Sequence, residues 1–166
     1  MSARRTIEFL DGSKVNYVRF PHAAASSAQE VAASTHIPGR HMAKTVVVRL
    51  DEQLALAVVP ADHMVDLERL CDVTGAEDVR LADEAEFIDR FEGCQLGAMP
   101  PFGNLFGIET YVDRDLARDD CIVFNAGSHT EAIGMTFTDY RRLVRPKVAR
   151  IATRVCQLGA VHAMQV

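Results

Sequence analysis

The sequence predicts an α+β fold: one mixed, strongly curved β-sheet with helices packed beside it. Apolar or alternating runs at 15–20, 44–50, 54–59, 108–112, 121–125 and 131–136 read as about six strands. The helical stretches are grouped between them and do not alternate with them one for one, as a doubly wound parallel sheet would require. No repeat, low-complexity tract or linker interrupts the 166 residues, a length that buries a substantial core as one domain.

Each element has a local reason. Residues 4–10 read as a short helix stopped by Asp11-Gly12, and 15–20 as a strand ended by Pro21. Ser27-x-x-Glu30 is a capping box that opens a helix to about His36, closed by Pro38-Gly39. Residues 44–50 and 54–59 flank Asp51-Glu52-Gln53 as a hairpin of buried strands. The spacing predicts a helix over 64–73, ended by Thr74-Gly75, and a second over 83–91 with Asp83 as its cap. Residues 93–107 form a long loop. Thr138 is expected to cap a helix over 139–144, which Pro146 interrupts and 147–158 resumes. The organisation expected is therefore a main unit over 1–144 with a basic helical extension over 145–166 of the same domain.

Composition narrows the function. The chain is 48% hydrophobic and 25% charged, with no window near 18 consecutive apolar residues, so no membrane span or membrane partner is expected. The basic N-terminus leads into no apolar segment of the kind a secretory signal needs. Cys71, Cys94, Cys121 and Cys156 form no C-x-x-C, which fits reduced thiols in a cytoplasmic protein. Cys94 reads as a small buried hydrophobe. A net charge of −5 excludes a protein that coats duplex nucleic acid over its whole surface. Charge is nonetheless uneven: acids dominate 51–92, whereas Arg141, Arg142, Arg145, Lys147, Arg150 and Arg154 lie in a stretch that has no acid from Tyr140 onward. That run is either a solvated face or a local grip on a nucleic acid end.

Three segments carry chemistry. Lys44 stands at the head of the apolar run Thr45-Val46-Val47-Val48. An ammonium there must reach solvent or a partner, so it is either a snorkelling strand-edge lysine or an anchor for negative charge. Gly97-Ala98-Met99-Pro100-Pro101-Phe102-Gly103 is a stiff loop whose glycines let a ligand approach bare backbone amides, or a connection that is merely proline-rich. Phe124-Asn125-Ala126-Gly127-Ser128-His129-Thr130 is a polar turn between strands. Backbone donors, one cation and a polar turn suit an ester or a phosphate. There is no G-x-x-x-x-G-K-[ST] or G-x-G-x-x-G, which removes support for a nucleotide-phosphate loop. Ser128 beside His129 does not make a nucleophile–base pair, which depends on geometry and not adjacency. His22, His36, His41 and His63 lack metal-ligand spacing, so no metal and no cofactor are expected.

In their order, Ala43-Lys44-Thr45-Val46-Val47-Val48, Gly97-x-x-x-Pro101-Phe102-Gly103 and Phe124-Asn125-Ala126-Gly127-Ser128-His129 resemble the YbaK/prolyl-tRNA synthetase-associated editing domains over roughly 7–144. The resemblance implies a curved, barrel-like mixed sheet flanked by helices and a metal-free hydrolase, an aminoacyl-tRNA deacylase that cleaves the ester of a misacylated amino acid on the tRNA 3′ end. It implies catalytic roles for Lys44 and Gly97: Lys44 to hold the terminal adenosine, amides of the Gly97 loop to meet the oxyanion. Water would be activated by backbone and by the substrate's 2′-hydroxyl, in keeping with the lack of a general base. Thr45, Ala98, Met99, Pro101, Phe102, Gly127, Ser128 and His129 would bind substrate, and Arg141, Arg142, Arg145 and Lys147 the tRNA. Thr45 stands where the alanine-specific members have Asn, which counts against alanine; the Lys44-Thr45 pair is like that of the cysteine-directed members, but Gly97-Ala98-Met99-Pro100-Pro101-Phe102 is closer to members acting on serine or threonine esters, and serine, threonine and alanine are the candidate residues. An aminoacyl-tRNA synthetase and a second copy of the chain, as a homodimer, are the further partners to consider. The alternative is a non-catalytic tRNA- or ligand-binding module on the same fold.

Overall fold

The computed structural model describes residues 3–25 and 27–155. Helix α1 (Arg4–Gly12) buries Thr6 and Leu10, one turn apart on a single face. It leads to strand β1 (Tyr17–Pro21). Ser27 caps α2 (Ala28–Thr35) by accepting from the Glu30 amide at 3.2 Å, and His36 ends it in the left-handed conformation. Strands β2 (Met42–Leu50) and β3 (Gln53–Pro60) form the expected hairpin. The pair Leu50↔Gln53 leaves a two-residue turn, with Asp51 at φ 52°. The Asp51 carboxylate steadies that turn by accepting from the amides of Glu77 and Asp78.

The middle of the chain departs from expectation. Residues 63–65 form a strand, β4 (His63–Val65), and only then does α3 (Leu67–Thr74) start, capped by Asp66 and closed by Gly75 at φ 71°. Asp66 accepts from the Arg69 amide, which fixes the helix start three residues later than the apolar pattern suggests. A short strand, β5 (Val79–Leu81), follows. Helix α4 (Glu84–Phe87) begins at Asp83 as expected, but tightens into a 3₁₀ turn over Ile88–Phe91.

Strand β6 (Glu109–Asp113), helix α5 (Arg114–Ala117) and the antiparallel pair β7 (Cys121–Ser128) and β8 (Glu131–Thr136) complete the main sheet's centre. Helix α6 (Phe137–Val144) is capped by Thr136, not Thr138: the Thr136 hydroxyl accepts from the Asp139 amide at 3.1 Å. The helix expected from 147 does not form among the described residues. Arg145 ends α6 at φ 51°, and the chain continues as β9 (Lys147–Ala149) and β10 (Ala152–Arg154). Residues 156–158 of that expected helix, and the rest of the extension, lie outside the described residues.

The large sheet runs β1-β8-β7-β2-β3-β6-β9, with β5 also paired to β2. Its β2–β7, β3–β6 and β6–β9 contacts are parallel, and its other pairs are antiparallel. Strand β10 pairs with β4 in a separate two-stranded sheet. One face of the large sheet is filled by Phe102, Phe124, Tyr140, Leu10 and Ile133. On another, Val46, Val48, Val59, Leu70 and Ile151 pack together. The result is the α+β class expected, a curved mixed sheet flanked by helices.

Candidate active site

The site begins where two strands part. Strand β7 pairs with β2 at only two positions, Met42↔Val123 and Ala43↔Phe124. Further along the same edge of β2, β5 takes over at Val48, and Val47 already accepts from the Ala82 amide through its carbonyl. Lys44, Thr45 and Val46 line the stretch between. Strand β7 leaves because it bulges: its register with β8 jumps between Asn125↔Ala132 and Ser128↔Glu131. Gly127 sits in that irregularity at φ 106°, a conformation an L side chain rarely adopts.

Lys44 is half-buried at this split. Strand alternation sets it on the face of Met42 and Val46, opposite its cross-strand partner Val59. Its ammonium donates to the main-chain carbonyl of His63 at 2.7 Å. Burial holds its pKa below the ordinary lysine value, and the nearby Asp62 carboxylate opposes that shift. Thr45, buried, takes the other face with Ala43 and Val47.

The loop lies on that second face, so it and Lys44 border the split from opposite sides of β2. Met99 packs in one cluster with Val47 and Leu56, and Phe102 in another with Ala43 and Val58. Gly97 is partly accessible at φ 78°, whereas residues 98–103 are buried. Phe102 is the loop's anchor: fully buried, it meets Phe9, Phe124 and Tyr140 edge-on. Pro101 is fixed through its carbonyl, which accepts from the Tyr140 hydroxyl at 2.8 Å. The Ala98 amide is spent on the Gln95 carbonyl at 3.0 Å. Among the described residues, the amides of Gly97, Met99 and Phe102 are then the loop's unpaired donors, Gly97 the partly accessible one.

The glycine that ends the loop serves close packing. A Cβ on Gly103 would lie well inside contact distance of the Ile108 carbonyl and the Thr110 hydroxyl. The Gly103 amide also donates to that hydroxyl at 3.2 Å. Gly103→Ala is therefore expected to cost roughly 2–3 kcal/mol by overpacking, read as a lower urea midpoint with an unchanged slope.

Gln95 ties the loop to the β7 bulge, a link that has no local sequence signal. Its amide donates to the Gly127 carbonyl at 2.9 Å, and its side-chain oxygen accepts from the His129 amide at 2.7 Å. The His129 ring closes the tie at 2.6 Å from the Leu96 carbonyl. A carbonyl only accepts, so Nε2 carries the proton and Nδ1 is left as a buried acceptor without a partner among the described residues. Ser128 is turned to the neighbouring Thr130 hydroxyl at 3.3 Å.

The basic residues expected to share one tract are dispersed. Arg141 and Arg142 lie on α6, with Arg142 paired to Asp139 at 3.1 Å; Arg145 ends the helix. Lys147, on β9, is held by Glu109 at 2.6 Å and lies over the Tyr111 ring. Cys94 is half-buried beside the Met99 cluster, and burial raises its thiol pKa. No cluster of metal-ligating side chains occurs among the described residues, and none of their helices is long and apolar enough to cross a membrane.

The chain is similar to known proteins. Over 97 residues the chain is 35% identical to the multifunctional Ser/Thr-tRNA deacylase ProXp-y of Escherichia coli (strain K12), covering 58% of this chain and 58% of that protein. The chain thus spans little more than half the length of that curated relative. Over 89 residues it is 32% identical to a proline--tRNA ligase of Bacillus cereus (strain AH187), covering 54% of this chain and 16% of the ligase. In fold it matches the crystal structure of a candidate trans-editing enzyme for prolyl tRNA synthetase, with a TM-score of 0.79 at 22% identity over 92% of this chain and 97% of that one. Residues 22–143, most of the chain, match the aminoacyl-tRNA editing domain model, and the protein belongs to that family.

Proposed function

We propose that this protein is a trans-editing aminoacyl-tRNA deacylase that hydrolyses the ester of a small misacylated residue, serine, threonine or alanine, on the tRNA 3′ end. The observation that carries the reading is the split between β2 and β7. A half-buried ammonium stands on one side of it, and a glycine loop with free amides, tied to a histidine turn, on the other. Lys44 holds the terminal adenosine through its phosphate or ribose oxygens and so positions the ester. The Gly97 and Met99 amides meet the oxyanion that forms as water attacks, an interaction worth a few kcal/mol per well-aimed donor. Thr45, Ala98, Met99, Pro101, Gly127, Ser128 and His129 shape the substrate pocket, with Phe102 supporting it from beneath. The deacylase activity of the E. coli relative supports the reaction class, and its Ser/Thr preference favours a hydroxylated residue over alanine.

The tRNA body is gripped by exposed arginines. Arg142 and Lys147 already hold carboxylates, so Arg141 and Arg145 carry the larger share of phosphate contact. The similarity to a proline--tRNA ligase makes a synthetase that misloads tRNA the natural companion.

A deacylation assay tests the reading, with tRNA charged separately with alanine, serine, threonine, cysteine and proline. Release of serine or threonine above the spontaneous rate is expected. A folded protein that releases none of the five would overturn the hydrolase and favour a binding module.

A further inference from the structure

We propose that Asn125 is a substrate-binding residue whose side-chain oxygen accepts a hydrogen bond from a hydroxyl of the bound aminoacyl-adenosine end. The inference rests on the deacylase reading and adds to its site a residue not yet given a role there.

Asn125 is 5% exposed, yet its Oδ1 has no hydrogen-bond partner among the described residues. An unpaired buried amide oxygen is costly, and native cores rarely keep one. Its position explains why this one is kept. The parallel pairs Met42↔Val123 and Ala43↔Phe124 end the β2–β7 ladder, and the next residue on each strand is Lys44 and Asn125. Asn125 is still in register with Ala132 of β8, and Lys44 with Val59 of β3, so both backbones are still extended. Alternation then sets both side chains on the face of Met42, Val123 and Ala132. Asn125 and Lys44 thus flank the mouth of the split on one face, one carrying an unpaired acceptor and the other a cationic donor held by the His63 carbonyl.

The chemistry of the ligand group follows. An amide oxygen needs a donor. A cationic donor such as a substrate α-ammonium would be repelled by the neighbouring Lys44 ammonium. A neutral hydroxyl would not. Two hydroxyls belong to the substrate end: that of the terminal ribose and that of a seryl or threonyl side chain. A site built to receive a hydroxyl discriminates strongly against an analogue that lacks it.

The test uses the intact protein, Asn125→Leu, and two hydrolysis-resistant probes, 3′-deoxyadenosine bearing a 3′-amide-linked seryl or alanyl group. Because leucine branches at the same carbon with the same number of heavy atoms and leaves no oxygen unpaired, the variant should melt close to the wild-type temperature. Its affinity for the seryl probe should fall by about tenfold, the effect of one hydrogen bond. A loss shared by the alanyl probe assigns the ribose hydroxyl, and a loss confined to the seryl probe assigns the side-chain hydroxyl. In the wild-type protein, the seryl probe should also shift the Asn125 side-chain amide resonance, a readout that needs no variant. A lower melting temperature with affinity retained, or an Asn125 resonance unmoved at saturation, would show that the oxygen serves the fold and overturn the proposal. Wild-type deacylation with an unaffected Asn125→Leu would overturn this inference alone, whereas a wild-type protein inert towards every ester and probe would overturn the deacylase reading with it.

Discussion

Lys44→Met should lower deacylation kcat/KM by about 10²–10³, the range found when one preorganised charge-stabilising donor is removed from an active site. Stability should not fall with it. The ammonium is partly desolvated and held by one carbonyl, and methionine keeps most of its packing. A titration separates the two effects. Burial lowers the lysine pKa in the folded state, so between that value and the ordinary lysine pKa the unfolded chain binds more protons than the native one. Folding stability then rises with pH across this window, and Lys44→Met should abolish that contribution to the slope. Activity runs the other way: the alkaline limb should begin below the pH at which an ordinary lysine loses its charge. Melting curves and pH–rate profiles of the two proteins check both statements. Loss of activity accompanied by a collapse in melting temperature would mean that Lys44 is chiefly structural.

Asp113→Ala should be the most damaging substitution to stability, at about 4 kcal/mol. The side chain is 1% exposed and satisfies three backbone amides: Asp115 at the start of α5, and Ile151 and Ala152 at the start of β10, each at 2.9 Å. Charge-assisted bonds of this kind are the strong ones, and removing the acceptor strands buried donors. The effect should reach the site. Strand β10 pairs with β4 through Ala152↔Val65, Thr153↔Met64 and Arg154↔His63, and His63 supplies the carbonyl that holds Lys44. Denaturant titration should show the stability loss, and at temperatures where the variant is still folded its kcat/KM should also fall. Wild-type catalysis in a destabilised Asp113→Ala would show that β10 does not position Lys44.

The elements most legible in the sequence were those whose signals are local. The valine run with its tight turn specified β2 and β3, and Ser27 with Glu30 specified the start of α2. Where pairing is long-range, local pattern misled. Residues 147–154 were expected to resume the helix interrupted at Pro146, yet β9 lies beside β6 and β10 beside β4, partners that only the fold brings near. Residues 64–65 were drawn into β4 by the same pairing. The cap of α6 moved two residues because two threonines compete and only Thr136 is three residues before Asp139. Lys44, the Gly97 loop and the His129 turn were visible as motifs, and all three border the split. Asn125 and Gln95 were not singled out, because their significance comes from a strand irregularity that leaves no mark on periodicity.

Lys44 is steadied by a main-chain oxygen, and this changes which residues the site depends on. A carbonyl is present whatever side chain position 63 carries, so substitutions of His63 that keep β4 in place leave the grip intact. Nothing at that position needs to co-vary with the lysine. The site is therefore tolerant of chemical drift beside its cation but sensitive to any shift of backbone there. Variants that disable it through this contact should map to the joints of the C-terminal strands, at residues that do not themselves touch substrate.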